Sequence, residues 1–219
     1  MEVGRIHAAR IRRMNSVSSH RPHSSDGEYR RNQVLAKTTW EHVFQKITYF
    51  GKHEPELASY KTAFVDDEPY PRIRRLAQEA GMWHGLTAIM NADILVGPEI
   101  LALERQMRTK RRLCASSRRW QFTVVGGTLA DMLTKAELGD DRGRDIFVAT
   151  GAVWRNLAMQ IPEGYRIGNP YWDAYVTDFF RKYYDASFVD FTSWRCVFHP
   201  SHQGRHYPFA QEAAEQPRP

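Results

Sequence analysis

The feature that most constrains the fold is an alternation of short strand-like runs with helical stretches, in which the runs end on polar or acidic residues. Lys46–Phe50 reads as a strand that turns at Gly51. Lys61–Val65 reads as another and ends at Asp66 and Asp67. Leu86–Met90 has the composition of a buried strand and ends at Asn91-Ala92-Asp93. Between them, residues 33–44 carry Val34, Leu35, Trp40, Val43 and Phe44, which suits a helix. Pro71 leads Ile73, Leu76 and Ala77 into a helical pattern that stops at Gly81. Strand alternating with helix is the pattern of an α/β sheet with a Rossmann-like half. Ligands of such sheets sit beyond the carboxyl ends of the strands, where Asp66, Asp67, Asn91 and Asp93 fall. Upstream, Val3–Ala8 reads as a first short strand, and residues 15–27, rich in Ser and His, as a loop.

The second half is less regular. Residues 100–107 continue as a helix, and 113–122 read as one strand carrying Ser116-Ser117-Arg118-Arg119-Trp120. A polar break at Gly139-Asp140-Asp141-Arg142-Gly143 precedes a strand over 145–149 and a helix over 153–159. The clearest helix is 171–184, where Trp172, Tyr175, Val176, Phe179, Phe180 and Tyr183 fall at i, i+3, i+4, i+7, i+8 and i+11. That stripe reads as core packing. Asn169 suits its cap and Pro170 its first position. The length fits one domain over residues 1–207, followed by a polar, Pro-containing tail over 208–219 expected to be disordered.

Composition removes several classes. Hydrophobic residues make up 42% and aromatics 12%, which excludes a wholly disordered chain. No apolar stretch approaches the roughly 20 residues that span a bilayer. The basic Met1–Arg13 segment lacks the apolar core of a secretory signal. Two cysteines, Cys114 and Cys196, suggest a reducing compartment without a disulfide framework. A cytoplasmic location, with a nuclear or host-cytoplasmic one as variant, and no membrane partner follow as expectations. The formal net charge is +6. Arginines cluster over residues 5–31, and arginine and lysine over 105–119, patches that attract nucleotide phosphates or polyanions unless they are solvated surface.

Four motifs bear on chemistry. Asp93, at a strand end, is placed to hold a divalent ion that neutralises a diphosphate, or simply to cap the turn before Pro98. Asp173, in a first helical turn, is placed to act as a base, or merely to complement the helix dipole. Gly168 lets the backbone pass close to a ligand. His199 and His202 follow the last apolar run and suit either metal ligation or a structural role. Arg118 and Arg119 suit phosphate oxygens or a solvated strand end.

On these residues the chain resembles the GT-A-fold glycosyltransferases, and within them a loose set of small proteins that includes the base J-type DNA glucosyltransferases. The matching segments are Asn91-Ala92-Asp93-Ile94, Ser117-Arg118-Arg119-Trp120, Asp145-Ile146-Phe147, Ile161-Pro162, Ile167-Gly168 to Trp172-Asp173, and His199 to His202. They cover roughly residues 30–207, with weaker likeness running back through Tyr49-Phe50-Gly51. The resemblance implies a GT-A-like α/β fold, with a Rossmann-like nucleotide-sugar half and a mixed acceptor-side half. It implies a divalent metal (Mn2+ or Mg2+) held by Asp93 and by His199 or His202, and Asp173 as catalytic base. Asn91, Arg118, Arg119, Gly168 and Trp172 are then the substrate contacts. Asn91 stands where the family's Asp-x-Asp motif has its first acid, which weakens the expected metal site.

The implied reaction moves a hexose from a nucleotide sugar, UDP-glucose first, to a hydroxyl. The basic patches together with the resemblance point to a hydroxymethylated DNA base as one acceptor, presented flipped or single-stranded. A glycan, lipid or protein acceptor is the alternative. A catalytically inactive nucleic-acid-binding module and a nucleotidyltransferase are the readings from other classes.

Overall fold

The computed structural model of the chain describes residues 14–19, 27–65, 70–124, 128–139, 143–168 and 171–201. In chain order its elements are β1 (Asn15–Ser19), α1 (Gly27–Val43), β2 (Lys46–Phe50), β3 (Thr62–Val65), α2 (Ile73–Met82), β4 (Leu86–Met90), β5 (Leu95–Val96) and α3 (Ile100–Thr109). There follow β6 (Cys114–Arg118), β7 (Trp120–Thr123), α4 (Leu129–Thr134), β8 (Glu137–Leu138), β9 (Arg144–Thr150), α5 (Gly151–Gln160), α6 (Trp172–Tyr184), β10 (Phe188–Asp190) and β11 (Val197–Ser201). The expected segments over Val3–Ala8, Asp66, Asp67 and the tail lie outside the described residues.

The main sheet has seven strands in the order β10-β6-β9-β4-β1-β2-β3. Strands β3, β2, β1 and β4 are mutually parallel, a Rossmann-like half. Strand β9 runs antiparallel to both β4 and β6, which makes the second half mixed. The α/β class and the division into a Rossmann-like and a mixed half are as expected. A smaller sheet, β5-β11-β7-β8, stands beside the main one.

Alternation along the strands builds two cores, one on each face of the main sheet. In β4, Ala88 and Met90 face a core with Trp40 of α1 and Leu103 of α3. Ile89 faces the other core, with Leu76 of α2, Trp154 of α5 and Phe180 of α6. Helices α2 and α5 pack closely because Gly151 lacks a side chain: a Cβ there would lie 2.8 Å from the Trp83 carbonyl oxygen.

Three local expectations are corrected. Residues 15–19, expected in a loop, form the central strand β1, paired with both β2 and β4. The strand has a single apolar residue, Val17, so no apolar run betrays it. Ser16 and Ser18 are small enough to be buried, and Ser18 Oγ donates to the Met90 carbonyl at 2.6 Å. The single strand expected over 113–122 is two strands in different sheets, and the chain crosses between them at Arg119. Finally, α6 starts at Trp172 with Tyr171 as its N-cap, in the left-handed region at φ 73°. Asn169 and Pro170 lie outside the described residues.

Candidate active site

Asn91, Asp93, Arg119, Asp173 and His199, all singled out from sequence, stand at the carboxyl ends of β4 and β6, where a Rossmann-like sheet binds ligands. Asp93 follows β4 and precedes β5. In the small sheet β5 pairs antiparallel with β11, with Phe198 opposite Leu95. That register brings His199 back to Asp93, and His199 Nε2 lies 3.2 Å from Asp93 Oδ2. Asp93 is almost fully buried.

Asp145 completes the centre, a residue to which the sequence assigned no role. The pairing of β6 with β9 slips here: Ser117 faces Ile146, but Arg118 faces Arg144, so Asp145 is skipped. Such a bulge re-aims a side chain. The Asp145 carboxylate accepts from Asn91 Nδ2 at 2.6 Å through Oδ1 and from Arg119 at 2.6 Å through Oδ2. Its backbone carbonyl accepts from the Asn91 amide at 3.2 Å. Arg119 sits at the sheet-to-sheet crossing, within the electrostatic reach of Asp145, Asp93 and Asp173. Burial lowers its guanidinium, and the three carboxylates outweigh burial and hold it above its ordinary value.

Asp173 stands in the first turn of α6, and the backbone amide of Arg144 donates to its Oδ2 at 3.2 Å. Burial, with the Asp145 charge added, pushes this carboxyl up from 3.8 to about 6, against the opposing pull of the Arg144 and Ala174 amides. A carboxylate with that value exchanges protons efficiently near neutrality. The Arg144 side chain is fixed by Ser116 Oγ at 2.8 Å and Asp190 at 2.6 Å, which holds its backbone amide beneath Asp173.

Other residues stand elsewhere. Gly168 has φ 78°, a conformation that favours glycine, in the turn leading towards α6. Arg118 donates through its guanidinium to the Gly139 carbonyl at 2.7 Å. His202 lies outside the described residues. Trp172, expected to touch substrate, is corrected: it is 3% exposed and packs edge-on against Phe147, because the apolar stripe of α6 faces the sheet. Trp172→Ala is therefore expected to cost about 3–5 kcal/mol of stability by denaturant unfolding. A loss of substrate affinity at unchanged stability would overturn the core assignment.

The donor set suits a divalent ion. Asp93 and His199 would hold such an ion through a carboxylate oxygen and an imidazole nitrogen, and the ion would supply positive charge for phosphate oxygens. Among the described residues no cluster of three or more His, Cys, Asp or Glu is arranged to hold a metal ion, and Asp93 and His199 are a pair of such side chains in contact. Both cysteines are buried thiols, pushed up to about 12 chiefly by burial, and take no part. Among the described residues no helix is long and apolar enough to cross a membrane.

No protein-family model matches the chain, and no curated protein does. Among solved structures, it is similar to a Bacillus anthracis protein assigned as a glucose-1-phosphate thymidylyltransferase, in complex with a sucrose, at 8% identity and TM-score 0.49, covering 82% of this chain and 87% of that one. It is also similar to the bifunctional IspDF of Campylobacter jejuni, at 11% identity and TM-score 0.49, covering 82% of this chain and 49% of that one. A third is the 4-diphosphocytidyl-2C-methyl-D-erythritolsynthase of Anaerococcus prevotii, at 13% identity and TM-score 0.45, covering 82% of this chain and 87% of that one. Likeness at this level assigns the chain to no family.

Proposed function

We propose that the chain transfers a hexose from a nucleotide sugar, UDP-glucose first, to an acceptor hydroxyl with the help of a divalent ion. One observation carries this reading. Asp93 and His199, from segments 106 residues apart in sequence, meet at 3.2 Å beside Arg119 and the raised carboxyl of Asp173. Asp93 and His199 would hold the ion, which supplies positive charge to a leaving diphosphate. Arg119 offers a second, permanent positive charge for phosphate oxygens. Asn91 and Arg119 both hold Asp145, so the guanidinium is oriented before any ligand arrives. Asp173 takes the proton of the acceptor hydroxyl. The acceptor oxygen bonds to the anomeric carbon while the carbon–oxygen bond to the diphosphate breaks, and the electron pair leaves on the nucleoside diphosphate.

The acceptor is a hydroxyl compound of open identity. A hydroxymethylated DNA base rests on the resemblance alone, since the basic run over 105–112 lies at the other end of the sheet. Calorimetric titration with UDP, UDP-glucose and a nucleoside triphosphate, in Mn2+ and then in chelator, tests the reading. Metal-dependent binding of a nucleotide sugar is expected. Metal-dependent binding of the triphosphate alone would replace it with nucleotidyl transfer, and metal-dependent binding of neither by the folded protein would sink it.

A further inference from the structure

The basic run over residues 105–119 is cut in two by the fold. Its end, Arg119, belongs to the site described above. Its beginning surrounds a cavity of about 1060 Å³ at the opposite edge of the same sheet. The lining includes Leu86 at the start of β4, Leu113 just before β6, and Thr150 at the end of the antiparallel β9. Asn91, Arg119 and Asp145 mark the other ends of those three strands. A five-residue strand spans about 17 Å, so the two places are separated by the depth of the sheet.

Four arginines line this cavity: Arg108, Arg111, Arg112 and Arg155. One carboxylate, Glu104, opposes them, and it lies 3.9 Å from Arg108. Arg112 and Arg155 are anchored on carbonyl oxygens, of Ala186 and Gly81, which orients their guanidinium groups without neutralising them. Arg111 is exposed and has φ 53°, a conformation few residues adopt without strain. Thr150 and Gly151, where α5 begins, also line the cavity, and the Thr150 side chain makes no capping hydrogen bond to the first turn. The positive end of a ten-residue helix therefore adds to the arginine charge. Part of the wall is aromatic: Trp83 lines the cavity, and the Lys46 ammonium lies 3.6 Å from the centre of its ring. Strong positive charge in a concave, partly aromatic site is the chemistry of recognition for a phosphorylated ligand of nucleotide size.

We propose that this cavity is a second anion site, one that binds the phosphate chain of a nucleotide-sized polyphosphate independently of Asp93 and of any metal. A flat basic surface would suit a nucleic-acid backbone; this concave site, walled on one side by Trp83 and the start of α5, suits a compact ligand better.

The test uses the full chain in chelator, where metal-dependent donor binding is silent. Tripolyphosphate, ATP and a short single-stranded oligonucleotide are titrated into the wild type and three variants. Arg108→Ala/Arg111→Gly removes two exposed charges, and glycine accepts the φ of residue 111. Arg111→Lys keeps the charge. Asp93→Ala removes the metal-dependent part of the other site. Tripolyphosphate and ATP are expected to bind the wild type and Asp93→Ala alike, to lose about tenfold or more in the double variant, and to be largely retained by Arg111→Lys. No binding to the wild type, or binding indifferent to the double variant, overturns the site. Binding of the oligonucleotide far above ATP, with affinity rising with its length, overturns the compact ligand in favour of a nucleic-acid backbone.

Discussion

Asp173→Asn is expected to lower turnover by about 10²–10⁴-fold while nucleotide-sugar affinity stays within a few-fold, the mark of a lost proton acceptor rather than a lost contact. Asn keeps the shape and an oxygen for the Arg144 amide, so the start of α6 has no cause to rearrange. The pH dependence sharpens the test. Wild-type turnover is expected to rise with pH through an apparent value near 6, where burial and the Asp145 charge set this carboxyl, and the variant should lack that limb. Stability follows the same group with the opposite sign. A carboxyl raised in the folded state stabilises the fold while protonated, and that contribution is lost as pH climbs from the ordinary 3.8 through about 6. Asp173→Asn should therefore gain stability relative to the wild type between pH 4 and pH 8, read by urea unfolding. Unchanged turnover in the variant removes Asp173 from the chemistry. A pH profile with the same limb assigns that limb to another group.

Asp93→Ala is expected to abolish the metal-stimulated part of nucleotide-sugar binding, a loss of about a hundredfold or more, because charge neutralisation by an ion is worth several kcal/mol. The same substitution takes a carboxylate away from Arg119. Binding of the diphosphate in chelator should therefore hold or rise slightly. This opposite response in metal and in chelator separates a ligand from a structural residue, since a merely unfolded or loosened site loses both. Asp93→Asn, which retains the size of the side chain and the approach to His199, should reproduce the split. Equal losses with and without metal would make the Asp93–His199 pair a structural contact between the two sheets.

Much of this architecture was legible before the structure. The strand endings at Gly51 and at Asn91-Ala92-Asp93, and the stop of α2 near Gly81, are local statements of composition and spacing. They placed Asn91 and Asp93 just beyond the carboxyl end of β4. The order Asp93, Asp173, His199 likewise named residues that the fold gathers around Arg119. What stayed hidden depended on pairing. Strand β1 reads as a loop because its burial comes from neighbours on both sides, β2 and β4, and not from its own single apolar residue. Asn91 reads as a metal ligand replaced by an amide, whereas its side chain holds Asp145.

The sequence by itself determined the strands and helices whose own periodicity marks them, β2, β3, β4, α2 and α6 among them, and which of their ends carry acid, base or glycine, since these follow from residues a few positions apart. Only the tertiary structure decided which of those ends meet. The slip of β9 against β6 turned Asp145 towards Arg119, and the pairing of β11 with β5 returned His199 to Asp93. Strand β6 divided one basic run between two ends of a sheet. Each of these is set by hydrogen-bond register between strands distant in the chain, and a one-residue change in register would send the same side chains to the opposite face.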